Sequence, residues 1–533
     1  MPLDIRPDHL KIVEEILAKH VPDREVWAFG SRVNGTAKET SDLDLAVIGE
    51  TPLDFQTLGA LRDAFSESDI PYKVDVVDWA TTSETFREIV LKDKVVIQKP
   101  DSLSKGWLYH PDFPNNWIRT PLYSLAKWIN GLAFRELQFC SSGKPVIKIA
   151  EIKNGISEQT KFTNQSFDQS LHIKKGDLLF SWSGQPETSI DAFWWHGPNG
   201  WLNQHIYRVL PIENIDRIFF FYLLRYLKPN FIAIARNKQT TGLGHVTKRD
   251  LEKIEAAYPP LSEQCAIAHI LGTLDDKIEL NRRMNETLEA MAQAIFNSWF
   301  VNFDPVRAKM EGRLTGLPKE IADLFPDSFE DSDLGEIPRG WRIGTLGEFA
   351  TRSRQSIRPN EIKEGTPYIA LEHMPRRCIS LFEWKMADEV ESNKFEFNKG
   401  DILFGKLRSY FHKVGVAPVN GVCSTDILVI APQKQELFGF VLGHVSSDSF
   451  VQYTDLGASG TRMPRTNWEN MKRYSLVVPP ISVSEVFSSK IGPLVEKILS
   501  NVHESKTLSC LRDALLHKLL SGEIKVQPDS SDS

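Results

Sequence analysis

The sequence predicts an α/β multidomain chain: a small α/β domain first, then two similar α/β modules, each followed by a long helix. The two helices are expected to pair as an antiparallel coiled-coil spacer. Three observations carry this reading. A chain of 533 residues is longer than one hydrophobic core serves. An internal repeat recurs through its second to last quarters. Two stretches carry a narrow apolar seam at alternating three- and four-residue spacing.

The repeat rests on three ordered matches. Phe113–Trp117 (FPNNW) recurs as Ile337–Trp341 (IPRGW), Lys175–Phe180 (KGDLLF) as Lys399–Phe404 (KGDILF), and Tyr258–Ser262 (YPPLS) as Val478–Ser482 (VPPIS). The offsets, 224, 224 and 220 residues, are too steady for chance and mark two copies of one unit. Each copy opens with short β-like runs, Val146–Ile152 and Tyr368–Leu371 among them, rich in Gly, Ser and aromatics. Each then meets a Pro-Pro pair, which blocks helix upstream and marks a helix start just beyond it.

In the first helix Ile267, Ile270, Leu274, Asn281, Met284, Leu288, Met291 and Ile295 form the seam. In the second it is Phe487, Ile491, Leu494, Ile498, Asn501, Leu508, Leu515 and Leu519. A helix over Glu263–Phe300 extends about 57 Å at ~1.5 Å per residue. A seam so long and narrow suits two helices against each other, with Asn281 and Asn501 fixing the register. The expected boundaries are 1–99 for the first domain, 107–260 and 339–480 for the modules, 261–303 and 481–526 for the helices. Residues 304–338 read as a linker, loop-like from Pro305 to Pro338 with an acidic stretch (Glu330, Asp331, Asp333, Glu336). Asp101–Pro114 reads as a joining segment and Gln527–Ser533 as a disordered tail.

Composition narrows the class. Hydrophobic residues at 41% and charged residues at 25% describe an ordinary globular protein. No apolar run approaches the ~20 residues of a membrane span. Met1–Asp8 has no apolar core, so a secretory leader is not expected. The five cysteines, Cys140, Cys265, Cys378, Cys423 and Cys510, stand far apart and suggest neither a zinc knuckle nor a disulfide framework, so a reducing cytoplasm is the expected compartment. The net charge of −7 lies wholly in residues 1–99, which hold 12 Lys+Arg and 19 Asp+Glu; the rest is balanced. A balanced body still binds DNA if its cations are grouped on one face.

Cations do gather in the modules. Arg236, Lys238, Lys248 and Arg249 flank Gln239-Thr240-Thr241-Gly242-Leu243-Gly244-His245. The second copy has Ser459, Thr461, Arg462, Arg465 and Thr466, then Lys472 and Arg473, and a second patch of Lys406, Arg408 and Lys413 with Tyr410 and Phe411. Arg and Gln suit bidentate contacts with base edges, Lys and Ser/Thr suit phosphates.

Pro260-Leu261-Ser262-Glu263-Gln264 followed by Ile270–Asn281 (ILGTLDDKIELN), together with Ser298–Val306 (SWFVNFDPV), resembles the central conserved region of type I restriction–modification specificity subunits. Leu515–Ile524 (LLHKLLSGEI) resembles their distal conserved region. The resemblance covers roughly residues 107–526. It implies two target recognition domains, each reading one half of a split site in double-stranded DNA. It also implies that the helices serve as a ruler and as a docking surface for methyltransferase (modification) subunits. A restriction/translocase subunit joins through the complex, and the recognition subunit itself is non-catalytic. Two modules on an antiparallel spacer have the pseudo-twofold symmetry needed to contact two half-sites on one duplex.

The first domain reads as helix from Leu10 to Leu17, strand Val26–Phe29 running into Gly30-Ser31, strand Ser41–Val47, helix near Phe55–Phe65 and strand Val74–Val77. Asp42 and Asp44, two apart on a strand, face one side, and Asp75 on a neighbouring strand is placed to join them. Three carboxylates round one point repel unless divalent cations lie between them, the arrangement of a two-metal phosphoryl-transfer site. Gly30-Ser31 at a strand-to-loop turn offers N–H groups and a hydroxyl to a phosphate. Asp78 is an odd step from Asp75 and is expected on the other face.

The set Gly30-Ser31, Gly35, Ser41-Asp42-x-Asp44 and Asp75 resembles the minimal nucleotidyltransferases of the polymerase-β superfamily, including those serving as antitoxins beside a partner protein. The resemblance implies that Asp42, Asp44 and Asp75 are catalytic Mg²⁺ ligands and that Gly30 and Ser31 bind the triphosphate. The family reaction moves a nucleoside monophosphate from a nucleoside triphosphate to an acceptor. The leading reading is thus a DNA-recognition subunit with an accessory nucleotidyltransferase-like domain. The alternatives are a nucleotidyltransferase localised to DNA by the repeats, and a toxin–antitoxin module on a borrowed scaffold.

Overall fold

The computed structural model describes residues 3–526 apart from 23, 39–40, 50–51, 54, 99–112, 239–241, 354, 389, 459 and 461–462. Most of the expected joining segment, the expected tail, Gln239 and Arg462 therefore lie outside the described residues. The chain divides into two compact units, residues 1–271 with 515–533, and residues 272–514.

In the first domain the strands Glu25–Phe29, Leu43–Ile48, Val74–Asp78 and Lys94–Gln98 form a mixed four-stranded sheet. The order is Val74–Asp78, Leu43–Ile48, Glu25–Phe29, Lys94–Gln98, with only the first two parallel. Helix Pro7–His20 starts on a proline, whose missing N–H costs nothing in a first turn. Its buried Val13 and Leu17 meet Leu61 and Phe65 of helix Phe55–Ser66 and the sheet residues Val26, Leu45 and Val47 in one core.

The two modules repeat each other strand by strand. In the first, Ala126–Asn130, Ile206–Pro211, Leu178–Ser181 and Asp191–Trp194 form an antiparallel sheet in that order; in the second, Ala350–Arg352, Ile427–Pro432, Ile402–Gly405 and Val414–Val416 do the same. A second sheet also matches. Lys144–Ile147 runs parallel to Gly200–Leu202 as Pro367–Ile369 runs parallel to Gly421–Cys423. The closing pairs are Ile118–Pro121 with Glu255–Tyr258 and Arg342–Thr345 with Ser475–Val478. Aromatic side chains fill both cores, Trp128, Phe180, Phe219, Phe220 and Phe231 in one, Phe404, Phe440, Phe450 and Trp468 in the other.

Three expectations are corrected. Val146–Ile152 is not one extended run: the strand ends at Ile147 and helix Ile149–Asn154 follows, because the Glu151 carboxylate reaches back to accept the Lys148 N–H at 3.0 Å. Tyr368–Leu371 breaks likewise, strand Pro367–Ile369 giving way to a turn of helix at Leu371–His373 as His373 Nδ1 accepts the Ala370 N–H at 3.0 Å. Pro305–Pro338 is structured, not loop. Pro305 sits in the first turn of helix Asp304–Met310, and Phe329–Ser332 folds back on Gly335–Pro338 as a hairpin around Gly335, whose φ of +92° suits only glycine well. The acidic residues of that segment lie on this hairpin.

The long helices are Leu261–Phe296, continuing as a π-turn over Asn297–Val301, and Ile481–Leu520. Each begins directly after its Pro-Pro pair. Gln264, 1% exposed, anchors the first start: its Oε1 accepts the Asp216 N–H at 2.9 Å and its Nε2 donates to Pro259 O at 2.9 Å. Within residues 272–514 polar pairs join the two helices in opposed directions. Arg512 reaches Asp275 at 2.6 Å, Asn281 donates to Glu504 at 2.9 Å and Ser505 at 3.3 Å, and Asn501 donates to Asn285 at 2.8 Å. Asn281 and Asn501 thus sit in the seam as expected but bond other partners than each other. Met291 is corrected: it is 47% exposed, because a helix of 3.6 residues per turn drifts off a strict heptad and presents Asn285 and Ala292 instead. Farther on, Glu289 accepts from the backbone N–H groups of Ile379 at 2.9 Å and Ser380 at 3.1 Å, and from the Ser380 hydroxyl, tying the helix to the second module.

Asn285 and Asn501 are 1% and 0% exposed, so removing one partner strands the other. Asn501→Leu is expected to cost about 1–3 kcal/mol, and Asn285→Leu/Asn501→Leu together less than the sum of the single changes. Chemical denaturation of the four proteins of this cycle checks it; strict additivity would show that the pair does not act as a unit.

Candidate functional site

Strand Glu25–Phe29 ends at Gly30, where φ is +78° and a Cβ would lie 2.4 Å from Asp44 Oδ2. Only glycine lets the Asp44 carboxylate come this close to the turn. Ser31 then opens the one-turn helix Ser31–Asn34, closed by Gly35 at φ +78°. Arg32, buried, donates to Ser41 O from Nε at 3.0 Å and from Nη2 at 2.6 Å, and lies 3.7 Å above the Tyr72 ring. It fixes the segment that leads into the acidic pair, a role its sequence position does not announce.

Asp42 is exposed and stands one residue ahead of the strand Leu43–Ile48; Asp44 is inside it, opposite Asp75 in the parallel register. Burial raises the Asp44 carboxyl above its ordinary range, and the neighbouring Asp75 and Asp42 carboxylates raise it further, against Lys73. Asp75 Oδ1 is held by Lys73 Nζ at 2.6 Å. Asp78 is buried with its carboxylate already used, accepting the N–H groups of Leu53 at 2.8 Å and Ala80 at 3.1 Å. It is structural, as its odd spacing implies.

The residues fit a divalent cation by chemistry. The donors are hard carboxylate oxygens, two of them register neighbours, and the repulsion that raises Asp44 is what a cation relieves. Among the described residues no three acidic or His/Cys side chains already close round one point, Asp75 being engaged by Lys73.

In the modules the structure joins patches that are apart in sequence. Lys238 Nζ meets Asp250 at 2.5 Å, bringing 236–238 against 248–250, while Arg236 pairs with Glu187 at 2.6 Å. Lys248 lies 4.9 Å from the Tyr123 ring centre and Arg249 is exposed. In the second module Leu407 bridges Arg465, Arg408 donates its N–H to Pro464 O at 2.8 Å, and Thr466 donates to Lys406 O at 3.0 Å. Lys406 and Arg465 thereby gather at Asp426, with Arg465 Nε 3.0 Å from its carboxylate. Arg352, not singled out from the sequence, stands near enough to Lys406 to lower its pKa alongside burial. Lys413 is drawn inward instead, donating to Leu371 O at 2.6 Å.

Sequence reasoning also missed a ring-and-cation cluster on the first module. Lys144 Nζ lies 3.2 Å from His172 Nε2 and 5.1 Å from the Trp201 ring, and Lys148 and Lys161 lie 5.4 and 6.0 Å from Phe139. Burial and then Lys144 hold the His172 imidazole below its ordinary range. These cations form no run in the sequence, so no signal pointed to them.

The comparisons with known proteins agree with this division. Residues 11–102 match the polymerase beta nucleotidyltransferase family and residues 114–290 the type I restriction modification DNA specificity domain. A probable protein adenylyltransferase MntA of Haemophilus influenzae is 61% identical over 99 residues, 19% of this chain and 87% of that protein. A putative type I restriction enzyme MjaX specificity subunit of Methanocaldococcus jannaschii is 39% identical over 447 residues, 78% of this chain and 95% of that one. The crystal structure of a type I S subunit from M. genitalium covers 78% of this chain and 98% of its own at 15% identity and a TM-score of 0.43. With its repeated recognition modules behind a polymerase-β-type nucleotidyltransferase domain, the chain belongs to the type I restriction enzyme specificity subunits.

Proposed function

We propose that modules 107–260 and 339–480 each read one half of a bipartite site in double-stranded DNA. The helices 261–303 and 481–526 set the gap between the halves as an antiparallel spacer and dock methyltransferase subunits, through which a restriction/translocase subunit joins. The observation that carries this is the strand-for-strand duplication, which supplies two similar readers of different sequence. The opposed polar pairs from Asp275–Arg512 to Asn285–Asn501 support the spacer. For the DNA contacts the reading names Arg236, Lys238, Gln239, Lys248, Arg249, Lys406, Arg408, Lys413, Arg462 and Arg465. The cluster at Asp426 is the strongest of these, since Arg465 pairs with its carboxylate and Lys406 lies within its field.

The first domain, in the same proposal, is a Mg²⁺-dependent nucleotidyltransferase. Asp42, Asp44 and Asp75 hold the metal, which when bound neutralises the triphosphate charge. Gly30 and Ser31 present the turn to the phosphates. The likeness to a probable protein adenylyltransferase supports a protein side chain as the acceptor and adenosine triphosphate as the nucleotide. The support is the contact of Gly30 with Asp44 and the register of Asp44 with Asp75.

Four residues inserted after Glu279, with four after Lys506 in the facing helix, lengthen the spacer by ~6 Å, close to two steps of DNA at ~3.4 Å. The preferred gap is expected to shift while both half-sites stay the same, read by binding selection with the methyltransferase subunits present. An unchanged gap would refute the ruler.

Lys406→Ala with Arg465→Ala is expected to weaken specific binding at least tenfold and to flatten its dependence on salt. Equal salt slopes for variant and wild type would exclude this cluster from phosphate contact.

Asp44→Asn keeps the shape and removes a charge. Wild type should bind nucleoside triphosphate only with divalent metal and transfer label from α-labelled nucleotide to protein in a lysate. Asp44→Asn should lose transfer while leaving DNA binding unchanged. Equal labelling by both proteins would remove the site from the chemistry.

A further inference from the structure

One cation beside the three carboxylates has no part in the site as described. Lys73 lies two residues before Asp75, and its backbone carbonyl accepts the Leu43 N–H at 2.9 Å, so the strand pairing already includes it. Two residues apart on an extended chain, the two side chains leave by the same face. Lys73 Nζ meets Asp75 Oδ1 at 2.6 Å, with the lysine side chain 67% and the aspartate 45% exposed. Asp75 is the register neighbour of Asp44, and Asp44 lies against Gly30 at the head of the turn.

We propose that Lys73 is the resident counter-ion of this carboxylate site. Its ammonium holds Asp75 while no divalent ion is bound, is displaced when one arrives, and then turns to the triphosphate of the nucleotide beside Gly30 and Ser31. The inference rests on the metal-site reading given above. An ammonium and a divalent cation compete for the same carboxylate, and their like charges repel when both are drawn to it. The exposed ion pair is weak, so the doubly charged ion displaces it at little cost. Lysine suits the exchange because it carries a compact charge on a flexible four-carbon stem, whereas the planar fork of arginine would hold the carboxylate in a fixed geometry. Lys73 is thus a positioning residue: it keeps the carboxylates apart from one another's charge before loading and adds a positive charge on the phosphate side afterwards.

The test uses the full chain. Mn²⁺ alone is titrated at low ionic strength and free ion is read by electron paramagnetic resonance. A non-hydrolysable adenosine triphosphate analogue is then titrated at saturating Mn²⁺. Lys73→Met is expected to bind Mn²⁺ about two- to fivefold tighter, the size of an exposed ion pair, with the difference shrinking as salt rises. The same variant should bind the analogue about two- to fivefold more weakly, since its charge no longer meets the phosphates. Lys73→Gln should follow Lys73→Met in both respects; divergence would mean that stem packing acts and not charge, and would overturn the proposal. Unchanged or weaker Mn²⁺ binding by Lys73→Met would also overturn it. Tighter Mn²⁺ with unchanged analogue binding would remove the triphosphate role. Asp44→Asn separates the two levels: if it binds Mn²⁺ like wild type, the metal-site reading itself falls, whereas lost binding there with no effect at Lys73 defeats the counter-ion alone.

Discussion

Three asparagine side chains with almost no exposure, Asn281, Asn285 and Asn501, constrain everything about how the long helices meet. An amide shut away from water must find partners inside the seam or cost the structure its full desolvation. Asn501 donates to Asn285, Asn285 donates in turn to Ile498 O at 3.3 Å, and Asn281 reaches Glu504 and Ser505. A slip of one heptad in either helix breaks all of these at once, while the apolar seam around them would be restored in the new register. Polar seam positions are the usual means by which a helix pair selects one register at some loss of stability. Here the register matters beyond the helices, because each grows directly out of a module at a Pro-Pro pair.

That attachment is made stiff by side chains as well as by the chain. Gln264 occupies a buried slot between the helix start and the loop at Asn214 and Asp216. Glu289 takes the backbone N–H groups of Ile379 and Ser380, and Cys378 beside it is pushed up to about 12 by burial and then by that carboxylate, which leaves it an inert thiol. The proposed spacer needs fixed ends, and these two contacts tie the first long helix to the first module at its start and to the second module farther on.

The legible part of the sequence was what repeats or what chemistry concentrates. The offsets among KGDLLF, FPNNW and YPPLS anticipated two copies, and the four-stranded antiparallel sheet, the parallel strand pair and the closing pair of the first copy each have a counterpart in the second. The neighbourhood of Asp44 and Asp75 was legible because the two stand on adjacent strands, whose parallel register sets them side by side. What failed was local. Val146–Ile152 is β-like in composition, yet one carboxylate, Glu151, caps the Lys148 N–H and turns the chain to helix. The segment Pro305–Pro338 reads as loop because its charges and prolines are frequent, yet Val306 and Phe325 bury in the second module's core and order it. Neither outcome can be drawn from propensity, since each depends on particular side-chain contacts. The cluster at Asp426 was half legible: its cations were noticed in two separate runs, and only the pairing of Leu407 with Arg465 unites them.

The cations so united are already partnered, and this bears on how such modules discriminate. Lys238 is held by Asp250 and Arg465 by Asp426, both acids being themselves largely buried. A cation preset by a carboxylate is pre-oriented, so less rotamer freedom is lost when it meets a base edge or phosphate. The same carboxylate weakens its bare pull on phosphate, which lowers non-specific affinity more than it lowers a well-formed bidentate contact. Under the DNA contacts proposed above, an electrically balanced recognition part would keep attraction to any DNA modest and leave the rest to geometry. The acidic first domain follows the opposite logic. Among the described residues Lys73 is the cation that opposes the repulsion of Asp75 and Asp42 at Asp44, so added positive charge there relieves it.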